Sequence, residues 1–400
     1  MILERVYYYM NGIKRFGLLF MAIIIALSTA ACGAVNVNPE KDKKRVVAEV
    51  NGDKILKEEF LELYNIQKSM LGITDEAESD ASQKDNIKQV KSMVLDQVIL
   101  NKIMYDKAKA AGFEVDENIK KETKEGILDE IEQNIKYQMY GEDDQPKEEE
   151  LSKLVQQQYD ASIKAYGLTE ERFIELIAKQ DQISKYRDKE LENVQITDDD
   201  IKKYYDEQLK KQKENPDEAE NQEVMLYRPT GWLNVKHILI KLPDDEIVEH
   251  SSLVANDKKD EAKKYLDEKL KAIKPKADEV LAKAKAGENF EDLIKEYSED
   301  KGMDIEQGYI LNKNSSFVES FKDAAFKLKK EGDMTDLVAS EYGYHIIKLY
   351  EKMPEHVFTI DETRDEIKVV LDYQKKNEKW QSMVDAWKKE AKIKKYEKRL

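Results

Sequence analysis

The sequence predicts a mainly α protein with an inserted α+β domain, and three observations carry that prediction. Of 400 residues, 38% are charged and 40% hydrophobic, with only 15 glycines and 7 prolines. Such a chain, rich in Lys, Glu, Ala, Leu and Ile and poor in breakers, forms helices readily. Apolar residues recur at helical spacing towards both ends. The central stretch, Gly231 to Glu351, differs: it opens with W-L-N-V-K-H-I-L-I and closes with E-Y-G-Y-H-I-I-K-L-Y. Both read as short strands, each with one histidine among aliphatics and a lysine. Strands matched in this way are expected to pair in one small sheet and to bring His237 and His345 together. The length suggests two or three domains. The formal net charge of −16 argues against nucleic acid, whose phosphates need a basic surface. A single cysteine, Cys32, excludes internal disulfides and cysteine metal clusters, and no cofactor is implied.

From the N-terminus, Lys14 and Arg15 precede the apolar run G-L-L-F-M-A-I-I-I-A-L, then S-T-A-A and Cys32. This is the layout of an export signal over residues 1–31, with an apolar run that is short for a spanning helix. A cysteine directly after small residues resembles a lipobox, with Thr29 where Leu is usual. That resemblance implies cleavage before Cys32, lipidation of Cys32 and anchorage to the outer face of the cell membrane. Ordinary cleavage near Ala30 and an uncleaved anchor are the alternatives, and either Met1 or Met10 can initiate. Residues 32–44 read as a tether. V-V-A-E-V-N-G-D-K-I-L alternates around Asn51-Gly52, a hairpin signal because both residues tolerate positive φ.

Helices follow. Phe60, Leu63, Tyr64 and Gln67 share a face, and Gly72 to Gln83 reads as a loop. Asn86 to Ala111 carries Val90, Val94, Val98 and Ile99 and stops at Gly112. Ile127, Ile131 and Ile135 mark another helix, ending near Gly141. Leu151–Tyr166 and Glu170–Leu191 are helical, and Thr197-x-x-Asp200 caps a helix running to about Lys213. Residues 45–213 thus form an N-terminal helical region. The acidic stretch from Glu214 on reads as a linker over 214–230. After the central domain (231–352), the segment 353–400 carries a long helix with Ile367, Val370, Leu371, Trp380, Val384 and Trp387. It is expected to bury that face against the N-terminal helices; a free solvated tail is the alternative.

Within the central domain the pattern predicts a strand over Leu233–Ile240, a charged insertion from Pro243 to Lys274, and helices over Ala277–Ala286 and Phe290–Tyr297. Strand Gly308–Leu311, helix Val318–Leu328 and strands Met334–Val338 and Tyr344–Tyr350 complete it. This is a four-stranded sheet covered by helices. H-I-L-I, A-G-E-N-F-E-D-L-I-K-E-Y-S-E-D, F-V-E-S-F-K-D-A-A-F-K-L and Y-G-Y-H-I-I-K, in this order, resemble the motifs of parvulin-type peptidyl-prolyl isomerases. V-N-G-D-K-I-L-K-E-E-F and the helices after it resemble the chaperone region of exported foldases. The whole layout is similar to the PrsA-type extracytoplasmic foldase lipoproteins, with a helical chaperone body and a parvulin-like domain.

The resemblance implies that Phe317 and Phe321 occupy the proline-pocket positions, with Leu311 and Tyr309 completing the wall. It implies that His237 and His345 are the paired histidines, Asp300 the polar residue beside them, and Ser340 a hydroxyl joining the network. The same residues have plainer readings: the histidines as a satisfied pair holding two strands in register, Phe321 as core, Asp300 as a turn residue. The family's Gly-Gly-Asp-Leu-Gly-x-Phe is replaced by M-D-I-E-Q-G-Y-I-L, keeping Gly308, and the loop to Phe317 is longer. The insertion begins with Asp244, Asp245, Glu246 and Glu249, so recognition of a phosphate before the proline is not expected. Two functions fit: an isomerase assisting exported proteins, or a holdase whose helical body cradles unfolded chains and whose central domain is weak or inactive. A lipoprotein for adhesion or solute capture is a third reading with no motif behind it. The partners implied are unfolded or partly folded exported polypeptides, the membrane through the lipid, and a second copy in a homodimer.

Overall fold

The computed structural model describes residues 39–139 and 147–400. The signal segment, Cys32 and the start of the tether lie outside the described residues. The chain divides into two compact units, one of residues up to Gln195 together with Asp372–Leu400, the other Ile196–Leu371.

The first unit begins with α1 (Pro39–Lys43) and the hairpin of β1 (Val46–Val50) and β2 (Asp53–Leu56). Its turn is Asn51-Gly52, both with positive φ (53° and 98°), as the two-residue loop demands. α2 (Lys57–Met70), the short α3 (Asp75–Ser79) and the long α4 (Lys84–Ala110) follow. Phe60 stacks on Tyr64 at 5.5 Å, and both share one core with Val90, Val94 and Ile99 of α4 and with Val47 and Val50 of the hairpin. α5 (Glu117–Met139), α6 (Glu148–Tyr166) and α7 (Glu170–Leu191) form a second cluster through Ile127, Ile131, Val155, Tyr159 and Phe173. Gly167, in the left-handed conformation (φ 66°), ends α6, and the Thr169 hydroxyl caps α7 by accepting from the Arg172 amide at 3.3 Å.

The second unit opens with α8 (Asp198–Glu214), capped as its sequence predicts: Thr197 Oγ1 accepts from the Asp200 amide and Asp200 Oδ2 from the Thr197 amide. The end of the stretch read as a linker is packed. Gln212 of α8 is buried; its Nε2 donates to the Val224 carbonyl at 2.8 Å, and its Oε1 accepts from the amides of Leu226 and Tyr227. Val224 and Leu226 lie in a core with Ile201, Ile367 and Leu371. The acidity of the segment hides this short V-M-L triplet, which is where the burial occurs. β3 (Tyr227–Arg228) leads into β4 (Trp232–Lys241).

The insertion is a helical hairpin, α9 (Asp244–Ala255) and α10 (Lys259–Lys285), the latter continuous through Pro275 into the segment expected as a separate helix. α11 (Phe290–Tyr297), β5 (Tyr309–Leu311), α12 (Glu319–Ala325), β6 (Val338–Ser340) and β7 (Gly343–Met353) complete the domain. The antiparallel sheet has the order β5-β4-β7-β6. The fourth strand lies later than expected: Met334 makes only an isolated bridge to Lys348. β8 (His356–Val357) pairs with β3, so the two segments read as connections pair with each other.

The last helix, α13 (Ile360–Glu390), places Ile367 and Leu371 in the second unit's core. Its later residues belong to the first unit, where Trp380 and Trp387 pack with Tyr186, Ile183 and Ala108. β9 (Ile393–Lys395), which the helical reading of this end missed, adds to β1, giving the sheet β2-β1-β9. No helix among the described residues is long and apolar enough to cross a membrane.

Candidate active site

Side chains alternate between the faces of a strand. Ile238, Ile240 and Ile346 therefore pack on one face with Ala277 and Val280 of α10 and with Leu293 of α11. Val235, Ile347 and Leu349 lie on the other, with Phe321 and Ala325 of α12. His237 and His345 share this second parity. In the β4–β7 register His237 stands opposite Ile347 and His345 opposite Leu239, so the imidazoles are diagonal neighbours. Their rings lie 5.3 Å apart at 22°, with Nδ1 to Nδ1 at 3.2 Å. Both are buried, at 2% and 5% exposure.

Hydrogen bonds run outward from this pair in both directions. His237 Nε2 meets Asp300 Oδ2 at 2.7 Å, and His345 Nε2 meets Ser340 Oγ at 2.7 Å. Asp300 follows α11 in a segment fixed to β4: the Ser298 hydroxyl accepts from the Leu239 amide, and the Glu299 amide donates to the Leu239 carbonyl. Asp300 also accepts from the Gly302 amide on Oδ1 and from the Tyr309 hydroxyl on Oδ2, each at 2.9 Å. Its carboxyl is held at about 2, chiefly by the His237 bond, against an opposing push from burial. Burial depresses His345 to about 3, so its ring is neutral.

When each ring carries one proton, the hydrogen bonds run in one direction. An ionised carboxylate only accepts, so His237 presents Nε2–H to Asp300. Its bare Nδ1 then accepts from Nδ1–H of His345, whose Nε2 accepts from the Ser340 hydroxyl. Ser340 Oγ in turn accepts from the Tyr342 amide at 3.1 Å. Every nitrogen of both rings has a partner within the chain.

Above the imidazoles lies an aromatic stack. Phe321 stands edge-on to His237 at 5.2 Å and to His345 at 5.4 Å. Phe317 stacks on Phe321 at 5.5 Å and meets the edge of Tyr309 at 5.0 Å. Phe321 and Leu311 are buried (2% and 0% exposed), whereas Phe317 and Tyr309 remain partly exposed. All eight residues expected at the site are thus brought together, with a difference of layer: Phe317 and Tyr309 offer apolar surface, and Phe321 and Leu311 back it.

The divergent loop is ordered by its own side chains. Asp304 Oδ1 accepts from the amides of Glu306 and Gln307, and the Gly308 amide closes onto the Asp304 carbonyl. Gly308 has φ 69°, and a Cβ there would stand 2.6 Å from the Val235 carbonyl oxygen. The glycine lets β5 approach β4 and so aims Tyr309 at Asp300. Asn312 Oδ1 accepts from the amides of Asn314 and Ser315, and the Phe317 amide donates to the Ser315 carbonyl, setting Phe317. Sequence reasoning missed Ser298, the Gly302 and Tyr342 amides and the use of the Tyr309 hydroxyl. Of these, only the S-E-D run carried a signal. Among the described residues no cluster of His, Cys, Asp and Glu could hold a metal ion.

The model of the PPIC-type PPIase domain matches residues 209–353, and that of the SurA-like N-terminal domain matches residues 10–126. The foldase protein PrsA of Clostridium botulinum strain 657 (type Ba4) is 30% identical over 387 residues, covering 94% of this chain and 96% of that protein. PrsA of the Langeland strain is 30% identical over 386 residues, with the same coverage. The crystal structure of PrsA from Bacillus subtilis aligns over 87% of this chain and 93% of that one, at 25% identity and a TM-score of 0.26. The chain belongs to the PrsA foldase family and is a peptidyl-prolyl cis/trans isomerase with a SurA-like chaperone domain.

Proposed function

We propose that this foldase turns X–Pro bonds of exported polypeptides against Phe317 and Tyr309, with His237, His345, Asp300 and Ser340 forming the polar floor. Rotation about an X–Pro bond meets a barrier of roughly 18–20 kcal/mol, set by amide resonance, and neither makes nor breaks a covalent bond. The planar amide carries more charge separation than the twisted one. A dry aromatic surface therefore favours the twisted form, the difference that lowers the barrier. The histidines act here without proton transfer: all four ring nitrogens are bonded within the chain, so they supply a rigid and satisfied surface. The observation that supports this reading best is that unbroken chain, lying directly beneath Phe321.

We further assign client holding to the helical unit, turnover to the central domain, and anchorage outside the cytoplasm to a lipid on Cys32. The test of turnover is isomerisation of a proline peptide by the full chain beside Phe317→Ala and His345→Ala. Acceleration by the parent and at least a tenfold loss in each variant is expected, about 1.4 kcal/mol of barrier. A parent rate equal to that of buffer overturns the assignment. The mass of the mature N-terminal peptide decides the anchor: a diacylglyceryl adduct on Cys32 supports it, and an unmodified terminus removes it.

A further inference from the structure

We propose that Tyr309 is a positioning residue of the isomerase site, its hydroxyl holding the Asp300 carboxylate that sets the direction of the imidazole chain. This rests on the reading of the histidine pair as the floor of the proline pocket. Three observations carry it. Tyr309 Oη and His237 Nε2 converge on the same oxygen, Asp300 Oδ2, at 2.9 and 2.7 Å, while the Gly302 amide holds the other oxygen. Remove the phenol, and Oδ2 is held by the imidazole alone, on a side chain 21% exposed to water.

Second, the backbone leaves room for this contact. A Cβ on Gly302 would stand 3.3 Å from both the Tyr309 hydroxyl and Asp300 Oδ1, tighter than carbon usually tolerates. The turn after Asp300 carries its smallest residue where the phenol must enter.

Third, the ring of Tyr309 is also a lip of the pocket. It is partly exposed, meets Phe317 edge-on at 5.0 Å and tilts over His237 at 5.6 Å. A pyrrolidine ring seated on Phe317 therefore bears on the side chain whose hydroxyl fixes Asp300. Pocket occupancy and carboxylate orientation are joined through one residue. Because the carboxylate decides which nitrogen of His237 keeps its proton, that orientation is passed on to His345 and Ser340.

The test compares Tyr309→Phe, Tyr309→Leu and Gly302→Ala in the full chain. It uses peptide isomerisation kinetics and imidazole nitrogen NMR shifts at neutral pH. Tyr309→Phe keeps the ring and loses the donor: KM is expected to stay within about twofold and kcat to fall about tenfold, the effect of one charge-assisted hydrogen bond. Tyr309→Leu loses both, so KM rises as well. In the parent the nitrogen shifts should report Nε2–H on His237 and Nδ1–H on His345. In Tyr309→Phe and Gly302→Ala both tautomers should appear. Parent kcat together with the parent nitrogen pattern in Tyr309→Phe overturns the proposal. An inactive parent would sink the isomerase assignment instead, and the nitrogen shifts would still decide the role of Tyr309. Amide exchange in β4 and β7 guards against misfolding, which alone would perturb both readouts.

Discussion

Acid should loosen the central sheet well before its carboxylates titrate, and His345 is the reason. Its ring is 5% exposed, neutral, and depressed by burial from 6.5 to about 3. In the unfolded chain it takes up a proton as pH falls through 6.5; in the fold it does so only near 3. Between those values the unfolded state holds one proton more, so stability falls with pH by about 1.4 kcal/mol per unit. From pH 7.5 to 5.0 the loss is about 2 kcal/mol, and the full contribution is present only above pH 6.5. Asp300 does not enter this window. Its depressed value of about 2 means that its own contribution is present above 3.8 and is lost only as pH falls from there towards 2. Amide hydrogen exchange of Ile346, Ile347 and Leu349, corrected for intrinsic rates and converted to opening free energies, measures the effect in β7 itself. The slope should drop by about one proton in His345→Asn. Opening free energies that stay level from pH 7.5 to 5.0, or an unchanged slope in the variant, would refute the linkage.

Further substitutions probe other joints of the fold. Gln212→Ala leaves the Val224 carbonyl and the Leu226 and Tyr227 amides buried without their partner, a loss of roughly 3 kcal/mol; faster exchange at those two amides reports it. Gly343→Ala puts a Cβ 2.1 Å from the Ile240 carbonyl oxygen at φ 137°. It should cost at least about 2 kcal/mol by thermal unfolding, from strain and displacement of the β4–β7 end. Phe321→Ala empties the space above both imidazoles, costing about 3–5 kcal/mol, and denaturant unfolding followed at Trp232 measures it.

The histidine pair was legible because two strands with matching apolar context, one histidine in each, are candidates to pair in one small sheet; the register that puts both rings on one face came from the structure. Phe317 and Phe321 were legible only through the resemblance of F-V-E-S-F-K-D-A-A-F-K-L to the parvulin motif. The layer each side chain occupies was not: periodicity marks the buried face of α12 but cannot say that Phe321 lies under Phe317. Tyr309 was expected as a wall because the resemblance puts it there; its hydroxyl bond depends on a loop of local Asx turns that no period describes. Val224 and Leu226 were hidden by acidic neighbours, and their burial needs a glutamine from a different element. β9 was missed because its partner, β1, lies more than three hundred residues earlier, beyond the reach of any local pattern.

That last pairing governs the order of assembly. Lys392 and Asn51 exchange two hydrogen bonds at the hairpin turn, the Tyr396 amide donates to the Val47 carbonyl, and the Arg399 guanidinium to that of Val46. On a chain emerging N-terminus first, β1 and β2 form early but keep an open edge until the final residues arrive. An unpaired edge invites another strand. A nascent or C-terminally clipped copy therefore exposes the backbone edge of β1 that the finished fold keeps covered.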